Sequence, residues 1–436
     1  MTQINNHILT SQTSHLMEKV IEYDNIKRAI ERVEHNKGAA GMDKMQVKDL
    51  RSYLKVNWKS IKQELLDGAY KPSPLRRFEI PKSDGGVRQL GIPTVLDRFI
   101  QQAISQVLTP VFEPTFSEFS YGFRPGKSAR QAVRKAQEYI QSGKGIVVDI
   151  DLEKFFDRVN HDLLMTKIAK QISDKRIHKI LRRYLQAGVM VNGCCVTTDE
   201  GTPQGGPISP LLANIMLNDL DHELTQRGHS FVRYADDCNI YVSSERAGKR
   251  VYESIRQFIH ERLKLKVNEQ KSAVDYPCRR KFLGFSFTRE KEVRLRIAPK
   301  TEIKFKDKIR VLTNRSWSIS MEERLEKLNA YLLGWSGYFG IIQTKRVFRN
   351  LDAWIRRRLR ACLLKQWKLC KTKLTNLINL GISEDAALSI AYSRKGYWRL
   401  SLTSQTHRAL NNAYWKVQGL IGLADRQKEL LFRTSI

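Results

Sequence analysis

Two adjacent carboxylates, Asp236 and Asp237, sit inside Phe231-Val232-Arg233-Tyr234-Ala235-Asp236-Asp237-Cys238-Asn239-Ile240-Tyr241-Val242. Apolar, β-branched and aromatic runs flank them, which predicts strand, tight turn, strand. Side chains alternate faces along a strand, so the pair cannot both enter a core, whereas at a hairpin tip both reach a divalent cation. An Asp-rich solvated turn is the ordinary use of such a pair, and what reverses that reading lies elsewhere in the chain. A third carboxylate, Asp151, closes Gly145-Ile146-Val147-Val148-Asp149-Ile150-Asp151. Ile146 to Ile150 reads as a buried strand, and its period of two places Val147, Asp149 and Asp151 on one face. Three such carboxylates suit a two-metal phosphoryl transfer, in which two divalent ions about 4 Å apart clamp the attacking and leaving oxygens. One ion lowers the pKa of an attacking 3′-hydroxyl, and the other neutralises charge on the triphosphate and the leaving pyrophosphate.

Further residues suit the same chemistry. Lys82 and Arg88 flank the Asp84-Gly85-Gly86 turn of a predicted hairpin, where two cations can converge on one anionic group. Glu200-Gly201-Thr202-Pro203-Gln204-Gly205-Gly206-Pro207-Ile208-Ser209-Pro210 is a loop of backbone-permissive residues that lets a nucleotide approach the main chain. Taken singly, these are exposed hairpin charges and a surface loop. Taken with the carboxylates, they form a nucleotide site.

Helices and short strands must position these groups. Residues 16 to 70 read as helices around the Gly-punctuated loop Asn36-Lys37-Gly38-Ala39-Ala40-Gly41-Met42-Asp43. A helical stripe runs from Leu96 to Leu108, and Tyr121-Gly122-Phe123-Arg124-Pro125-Gly126 breaks the chain before a helix at Ser128 to Gln141. Further helices are predicted to Ala187, from Leu211, and from Ala247 to Leu263. Beyond residue 300 the pattern is all helix. Leu325, Leu328, Leu332, Trp335 and Phe339 repeat at core spacing, as do Val347, Leu351, Trp354, Ile355, Leu359 and Cys362. Arg346, Arg349, Arg357 and Arg360 line another face, interrupted only by Asp352, and predict a face that tracks phosphates.

The chain has 436 residues, enough for two or three domains, and a formal net charge of +31. Such an excess points to a polyanionic partner, above all nucleic acid. From Arg296 onward there are 28 Lys and Arg against 10 Asp and Glu, so the excess concentrates in the last third. Basic stretches interleaved with Trp, Tyr and Leu at core spacing speak against a membrane-surface role, and no apolar run approaches the ~20 residues of a membrane helix. The first fifteen residues lack a signal pattern, so no secretion is expected. Six cysteines without C-x-x-C spacing predict reduced thiols in a cytoplasm rather than a zinc site.

Together these motifs resemble the reverse transcriptases. Tyr234-Ala235-Asp236-Asp237 resembles their YxDD box, and Asp151 with Phe156 five residues on resembles the first palm motif, whose aromatic gates against the ribose 2′-hydroxyl. Thr202-Pro203-Gln204-Gly205-Gly206 resembles the motif around the nucleotide, and Phe282-Leu283-Gly284-Phe285 the primer grip. The resemblance implies that Lys271 falls in the motif that protonates leaving pyrophosphate, and that Lys82 and Arg88 are fingers cations on the triphosphate. Ile80-Pro81-Lys82, Gly122-Phe123-Arg124-Pro125, Asp151-Leu152-Glu153-Lys154-Phe155-Phe156-Asp157 and Ser209-Pro210-Leu211-Leu212-Ala213-Asn214 resemble, more narrowly, bacterial group II intron-encoded proteins. Trp317 to Trp367 is similar to their maturase domain, and Asn36 to Asp43 falls where they carry an N-terminal loop over template and primer.

The resemblance implies an α/β (α+β) right-hand polymerase: helical fingers, an antiparallel-sheet palm with the Tyr-Ala-Asp-Asp hairpin, and an α-helical thumb that is the maturase domain. The expected boundaries are 1–75 for an N-terminal extension and the start of the fingers, 76–145 fingers, 146–295 palm, 296–371 thumb, and 372–436 a basic DNA-binding segment. The expected function is RNA-directed DNA polymerisation with maturase activity in intron splicing and mobility. Its expected cofactor is two Mg²⁺ ions, with Mn²⁺ as a substitute. Intron RNA, an RNA template with a DNA primer, target DNA and dNTPs are the partners, in a cytoplasmic, nucleoid- or ribonucleoprotein-associated protein. Arg124, Leu283, Gly284 and the four thumb arginines are the expected nucleic-acid contacts. No zinc-binding Cys/His pairs of an endonuclease follow, which resembles the endonuclease-lacking IIC branch. Asp151 is preferred to Asp149 because it ends the strand and has the family's spacing to Phe156. A splicing cofactor whose polymerase site is unused, and a domesticated reverse transcriptase in defence or repair, are the alternatives.

Overall fold

The computed structural model describes residues 13–81, 87–191, 194–196, 201 and 205–433. The chain forms two compact units that divide between Tyr276 and Pro277.

In the first unit, α1 (Leu16–Val20), α2 (Tyr23–Asn36) and α3 (Leu50–Leu66) lead to the antiparallel pair β1 (Leu75–Pro81) and β2 (Val87–Ile92). The predicted hairpin is therefore present, although its turn and Lys82 lie outside the described residues. Next comes α4 (Val95–Phe112), whose start is fixed by sequence chemistry. Thr94 Oγ1 accepts from the Asp97 amide, while buried Asp97 accepts from Thr94 Oγ1, the Tyr70 hydroxyl and the Ser73 amide. Burial pushes the Asp97 carboxyl above its usual range, against those hydrogen bonds. The 36–43 loop is tied to the same helix start: Arg98 donates to the Ala39 carbonyl at 2.7 Å, and a Cβ on Gly41 would stand 2.6 Å from Thr94 Cα.

After α5 (Ala129–Gln141) comes β3 (Ile146–Ile150). Helices α6 (His161–Ala169) and α7 (Lys175–Gln186) then precede the short pair β4 (Val189–Val191) and β5 (Cys194–Val196), and β4 joins β1 in parallel. Helix α8 (Ser209–Gln226) buries residues all round, from Leu211 to Leu224, so it forms the unit's central post. Strands β6 (Ser230–Tyr234) and β7 (Asp237–Val242), helix α9 (Glu245–Leu263) and β8 (Ala273–Asp275) complete an antiparallel sheet of order β6-β7-β3-β8. Ile146, Val148, Ile150, Cys238, Ile240 and Val242 face the helical core. Gly248 of α9 touches that face so closely that a Cβ would meet Val274 at 2.5 Å.

The second unit begins with a hairpin, β9 (Phe285–Phe287) and β10 (Leu295–Ile297), followed by α10 (Pro299–Leu312), α11 (Met321–Phe339) and α12 (Lys345–Gln366). The predicted stripe Leu325, Leu328, Leu332, Trp335 and Phe339 is buried as expected. Phe305, Trp335, Phe339 and Phe348 interlock with ring centroids 4.2–5.8 Å apart. One expected boundary, that between 295 and 296, is corrected here. The hairpin at 285–297 folds with the helices after it rather than with the palm, because Gly284 packs on Phe339 and its carbonyl accepts from the Ala298 amide. The described part of the 372–436 segment is helical. Its helices, to Leu423–Arg433, bury Trp415 and Leu423, and Asp352 accepts the Leu423 and Ala424 amides at 2.8 and 2.9 Å.

Candidate active site

The carboxylate pair stands at the tip of β6–β7. Tyr234 pairs with Asp237, so Ala235 and Asp236 are the two turn residues. Ala235 takes a left-handed conformation, φ 57°, which a small side chain tolerates best. Gly122 backs directly onto this turn. A Cβ there would lie 2.3 Å from the Ala235 nitrogen, so only glycine lets the 119–122 segment run along β6. That segment is bonded in place, Tyr121 N donating to the Arg233 carbonyl at 2.8 Å and Arg233 N to the Phe119 carbonyl at 3.0 Å.

Strand β3 brings the third carboxylate. It runs antiparallel to β7 with Ile150 opposite Cys238. Carried one residue further, this register sets Asp151 beside Asp237, both on the sheet face turned away from the helical core. Asp151 is half-buried and Asp237 exposed. Asp149 lies two residues back, opposite Asn239; with the Asn239 amide turned so that its nitrogen donates, the two are 3.0 Å apart. Among the described residues no three His, Cys, Asp or Glu side chains are drawn close enough to form a metal-holding group. The register therefore gathers the backbones of the three aspartates, not a closed ligand cluster. Their donor set fits a hard divalent ion: all oxygen, none fully buried, on adjoining strand ends. Like-charged carboxylates repel until a cation neutralises them.

Sequence reasoning missed a second support of Asp151. The Asp151 amide donates to Ser272 Oγ at 3.0 Å, and its carbonyl accepts from the Asn268 amide at 2.8 Å. Leu152 bridges to Val267, and Glu153 N donates to the Lys266 carbonyl. This stitches the stretch carrying exposed Lys271 to the end of β3. The only available signal was Asn268 and Ser272 flanking Lys271 in a lysine-rich loop, which is too common to single out.

The residues expected at a nucleotide site are described only in part. Phe156 is half-buried on a single helical turn, Phe155–Asp157, with its ring edge-on to Phe155 at 5.1 Å. Gly201 opens the predicted loop against this turn, with φ 103° and its virtual Cβ 3.0 Å from the Phe156 carbonyl. Gly205, exposed at φ 120°, similarly approaches the Gly91 carbonyl on β2. Gln204 lies outside the described residues, and Arg88 is placed only by its backbone on β2, opposite Ile80.

The expected nucleic-acid contacts divide. Arg124 is corrected: its side chain is 6% exposed and committed to Glu113 at 2.7 Å and to the Ser117 and Ser120 carbonyls, so it shapes the loop. In the second unit Arg346 and Arg349 are exposed. Arg357 stacks 3.7 Å over Trp398, and Arg360 is 4% exposed. Burial beside Arg356 and Arg357 pushes Arg360 down to about 10. Arg360 is corrected as an open phosphate contact because it is buried, whereas Arg357 is half-buried with its guanidinium on the Trp398 ring. Leu283 and Gly284 form a two-residue turn with φ 50° and 86°, closed by paired Phe282–Phe285 hydrogen bonds of 3.0 and 2.9 Å. The Tyr338 hydroxyl donates to the Leu283 carbonyl at 2.9 Å.

An antiparallel sheet backed by helices thus carries carboxylates at one strand end and at a neighbouring hairpin tip. Residues 80–287 match the family model for reverse transcriptase (RNA-dependent DNA polymerase), and residues 303–377 match the group II intron maturase-specific domain. Protein YkfC of Escherichia coli (strain K12) is 34% identical over 280 residues, covering 56% of this chain and 73% of that protein. The group II intron-encoded protein LtrA of Lactococcus lactis subsp. cremoris is 29% identical over 293 residues, 52% of this chain and 49% of LtrA, so the matched part is about half of that relative. The nuclear intron maturase 4 of Arabidopsis thaliana is 29% identical over 169 residues, 38% of this chain and 21% of its own. The chain belongs to the reverse transcriptases that carry a group II intron maturase domain, RNA-directed DNA polymerases that generally use divalent metals. Among the described residues no helix is long and apolar enough to cross a membrane.

Proposed function

We propose that Asp151, Asp236 and Asp237 hold two Mg²⁺ ions and that the chain copies an RNA template from a DNA primer while its second unit binds group II intron RNA. The observation that carries the reading is the β3–β7 register, which aligns a strand-end carboxylate with the carboxylates of the Tyr-Ala-Asp-Asp turn. Bound metal would lower the pKa of the primer 3′-hydroxyl and offset charge on the departing pyrophosphate. Mn²⁺ offers the same hard-ligand chemistry. Phe156, beside the strand end, closes the space a ribose 2′-hydroxyl would need. Lys82 and Arg88 hold triphosphate oxygens, Gln204 and Gly205 face the nucleotide, and Lys271 protonates the leaving group. Leu283 and Gly284 support the primer strand.

An open groove of about 1,100 Å³ in the first unit, lined by Arg28, Arg32, His35, Gln102, Gln106 and Phe123 together with Glu31 and Glu113, supports a nucleic-acid path. Target DNA is a further partner, and the expected setting is a cytoplasmic ribonucleoprotein near the nucleoid. The domain reading follows: fingers to 145, palm from 146, thumb and maturase in the second unit. Primer extension on an RNA template with Mg²⁺ tests the proposal. Extension by the parent, and its loss in Asp236→Asn with template–primer binding intact, is expected; a folded parent that binds but never extends would leave only an RNA-binding splicing cofactor. Phe156→Ala should relax discrimination against ribonucleotides, read as the ratio of kcat/KM for dNTP and rNTP.

A further inference from the structure

We infer that Arg233 is a positioning residue for the catalytic turn, acting through the carbonyl of Ala235, and that its buried network sets where Asp236 and Asp237 stand. The inference rests on the reading of those carboxylates given above. Arg233 ends the buried part of β6, directly before Tyr234, and its side chain and that of Asp221 on α8 are both wholly buried. A guanidinium has five N–H donors and no acceptor. Here each finds its own oxygen. Nε donates to Asp221 Oδ1 at 2.7 Å, and Nη2 donates to Asp221 Oδ2 at 2.6 Å and to Ser120 Oγ at 2.8 Å. Nη1 donates to Asn214 Oδ1 at 3.0 Å and to the Ala235 carbonyl at 2.8 Å.

Two of the five bonds form the forked ion pair. The other three reach the central helix, the 119–122 segment and the turn itself. Asn214 extends the network, its Nδ2 donating at 2.8 Å to the carbonyl of Gly122, the residue pressed against the Ala235 nitrogen. The strained residue of the turn is thus gripped at its carbonyl by Arg233 and braced at its nitrogen by Gly122. A buried ion pair is weak evidence for stability, since well-packed apolar residues often replace one without loss. What apolar residues cannot supply is a donor aimed at the Ala235 carbonyl. Lysine cannot either, because three donors on one nitrogen do not span Asp221, Ser120, Asn214 and the turn. A 1 Å displacement of catalytic groups costs on the order of 10²-fold in rate, so a rigid turn has a direct kinetic consequence.

The test uses the full chain and the double variant Arg233→Met/Asp221→Leu, which leaves no unpaired buried charge. Thermal unfolding and template–primer affinity report folding, steady-state kinetics report kcat and KM, and hydrogen exchange of the Asp236 to Cys238 amides reports the turn without metal or substrate. The expected result is a folded variant with near-parental template–primer affinity, a kcat lowered roughly 10²-fold at little-changed KM, and faster exchange confined to the turn. Arg233→Lys should show the same split, since it keeps the charge but not the fork. A folded double variant with parental kcat and parental exchange overturns the inference. Should both variants fail to fold, Ser120→Ala removes one acceptor of the guanidinium: faster exchange at the turn with lower kcat supports the role, and parental values for both overturn it. Asp236→Asn run alongside separates the two readings. If it polymerises like the parent, the carboxylate assignment fails, while the exchange data still judge the grip of Arg233 on the turn.

Discussion

Two tight turns among the described residues, Tyr234–Asp237 in the first unit and Phe282–Phe285 in the second, solve one backbone problem in opposite ways. Each has two residues between its closing pair, and each forces a non-glycine residue into left-handed space, Ala235 at 57° and Leu283 at 50°. Such a residue costs about 1–2 kcal/mol and persists only where the surroundings over-determine it. At the first turn the surroundings are ionic: a guanidinium with all five donors committed, and a glycine that admits close backbone contact. At the second they are aromatic, the Tyr338 hydroxyl on the Leu283 carbonyl and the Phe339 ring 3.1 Å from where a Gly284 Cβ would stand. The turn that carries two carboxylates has its carbonyl drawn inward by a buried charge. A turn that presents an apolar side chain is wedged by rings.

The largest effect that can sharpen this contrast lies in the first turn. Asp236→Asn or Asp151→Asn should lower polymerisation by roughly 10³-fold or more, the scale of removing a metal-based charge stabilisation. Single-turnover extension checks this, and template–primer binding should stay unchanged. Asp149→Asn should retain measurable extension, because that residue stands two positions back from the strand end; a folded but inactive Asp149→Asn protein would shift the ligand assignment. Next in size is Gly122→Ala. Its Cβ would overlap the Ala235 nitrogen, so a loss of about 1–3 kcal/mol is expected together with a fall in kcat, measured by chemical unfolding and kinetics on the same sample.

In the second turn, Tyr338→Phe removes one hydrogen bond and should cost about 1 kcal/mol without touching chemistry at saturating primer. A fall in kcat as large as that of Gly122→Ala would break the contrast. The smallest effects belong to the thumb arginines. Arg346→Gln and Arg349→Gln should each flatten the log–log salt dependence of RNA or DNA binding by roughly 0.7–0.9 per lost phosphate contact. Arg360→Gln should instead change stability and leave that slope alone, because its guanidinium is buried.

The site was legible in sequence wherever chemistry demands a short, local pattern. Asp236 and Asp237 stand at a hairpin tip as the flanking β-branched runs require, and the stripe from Leu325 to Phe339 is core because its spacing admits nothing else. Arg124 and Arg360 were misread for one reason. An arginine's role depends on what surrounds it, and the partners that hold Arg124, Glu113 with the Ser117 and Ser120 carbonyls, are set by the folded loop rather than by residue type. Gly122 could be read as a break before a helix, but not as the contact on which the Ala235 turn rests.

By itself the sequence determined the chemical inventory: which carboxylates exist, which of them end strands, where backbone freedom lies, and a cationic excess of the kind that suits a polyanion. Those features follow from residue type and local period, which are properties of the chain. Only the tertiary structure decided how the inventory is aligned. The register of β3 on β7 puts Asp151 beside Asp237. Ser272 and Asn268 clamp Asp151 from a loop more than a hundred residues away, and Arg233 spends its five donors on oxygens from three separate segments. Hydrogen bonds are short and directional, so which donors meet which acceptors is fixed only once the chain has folded.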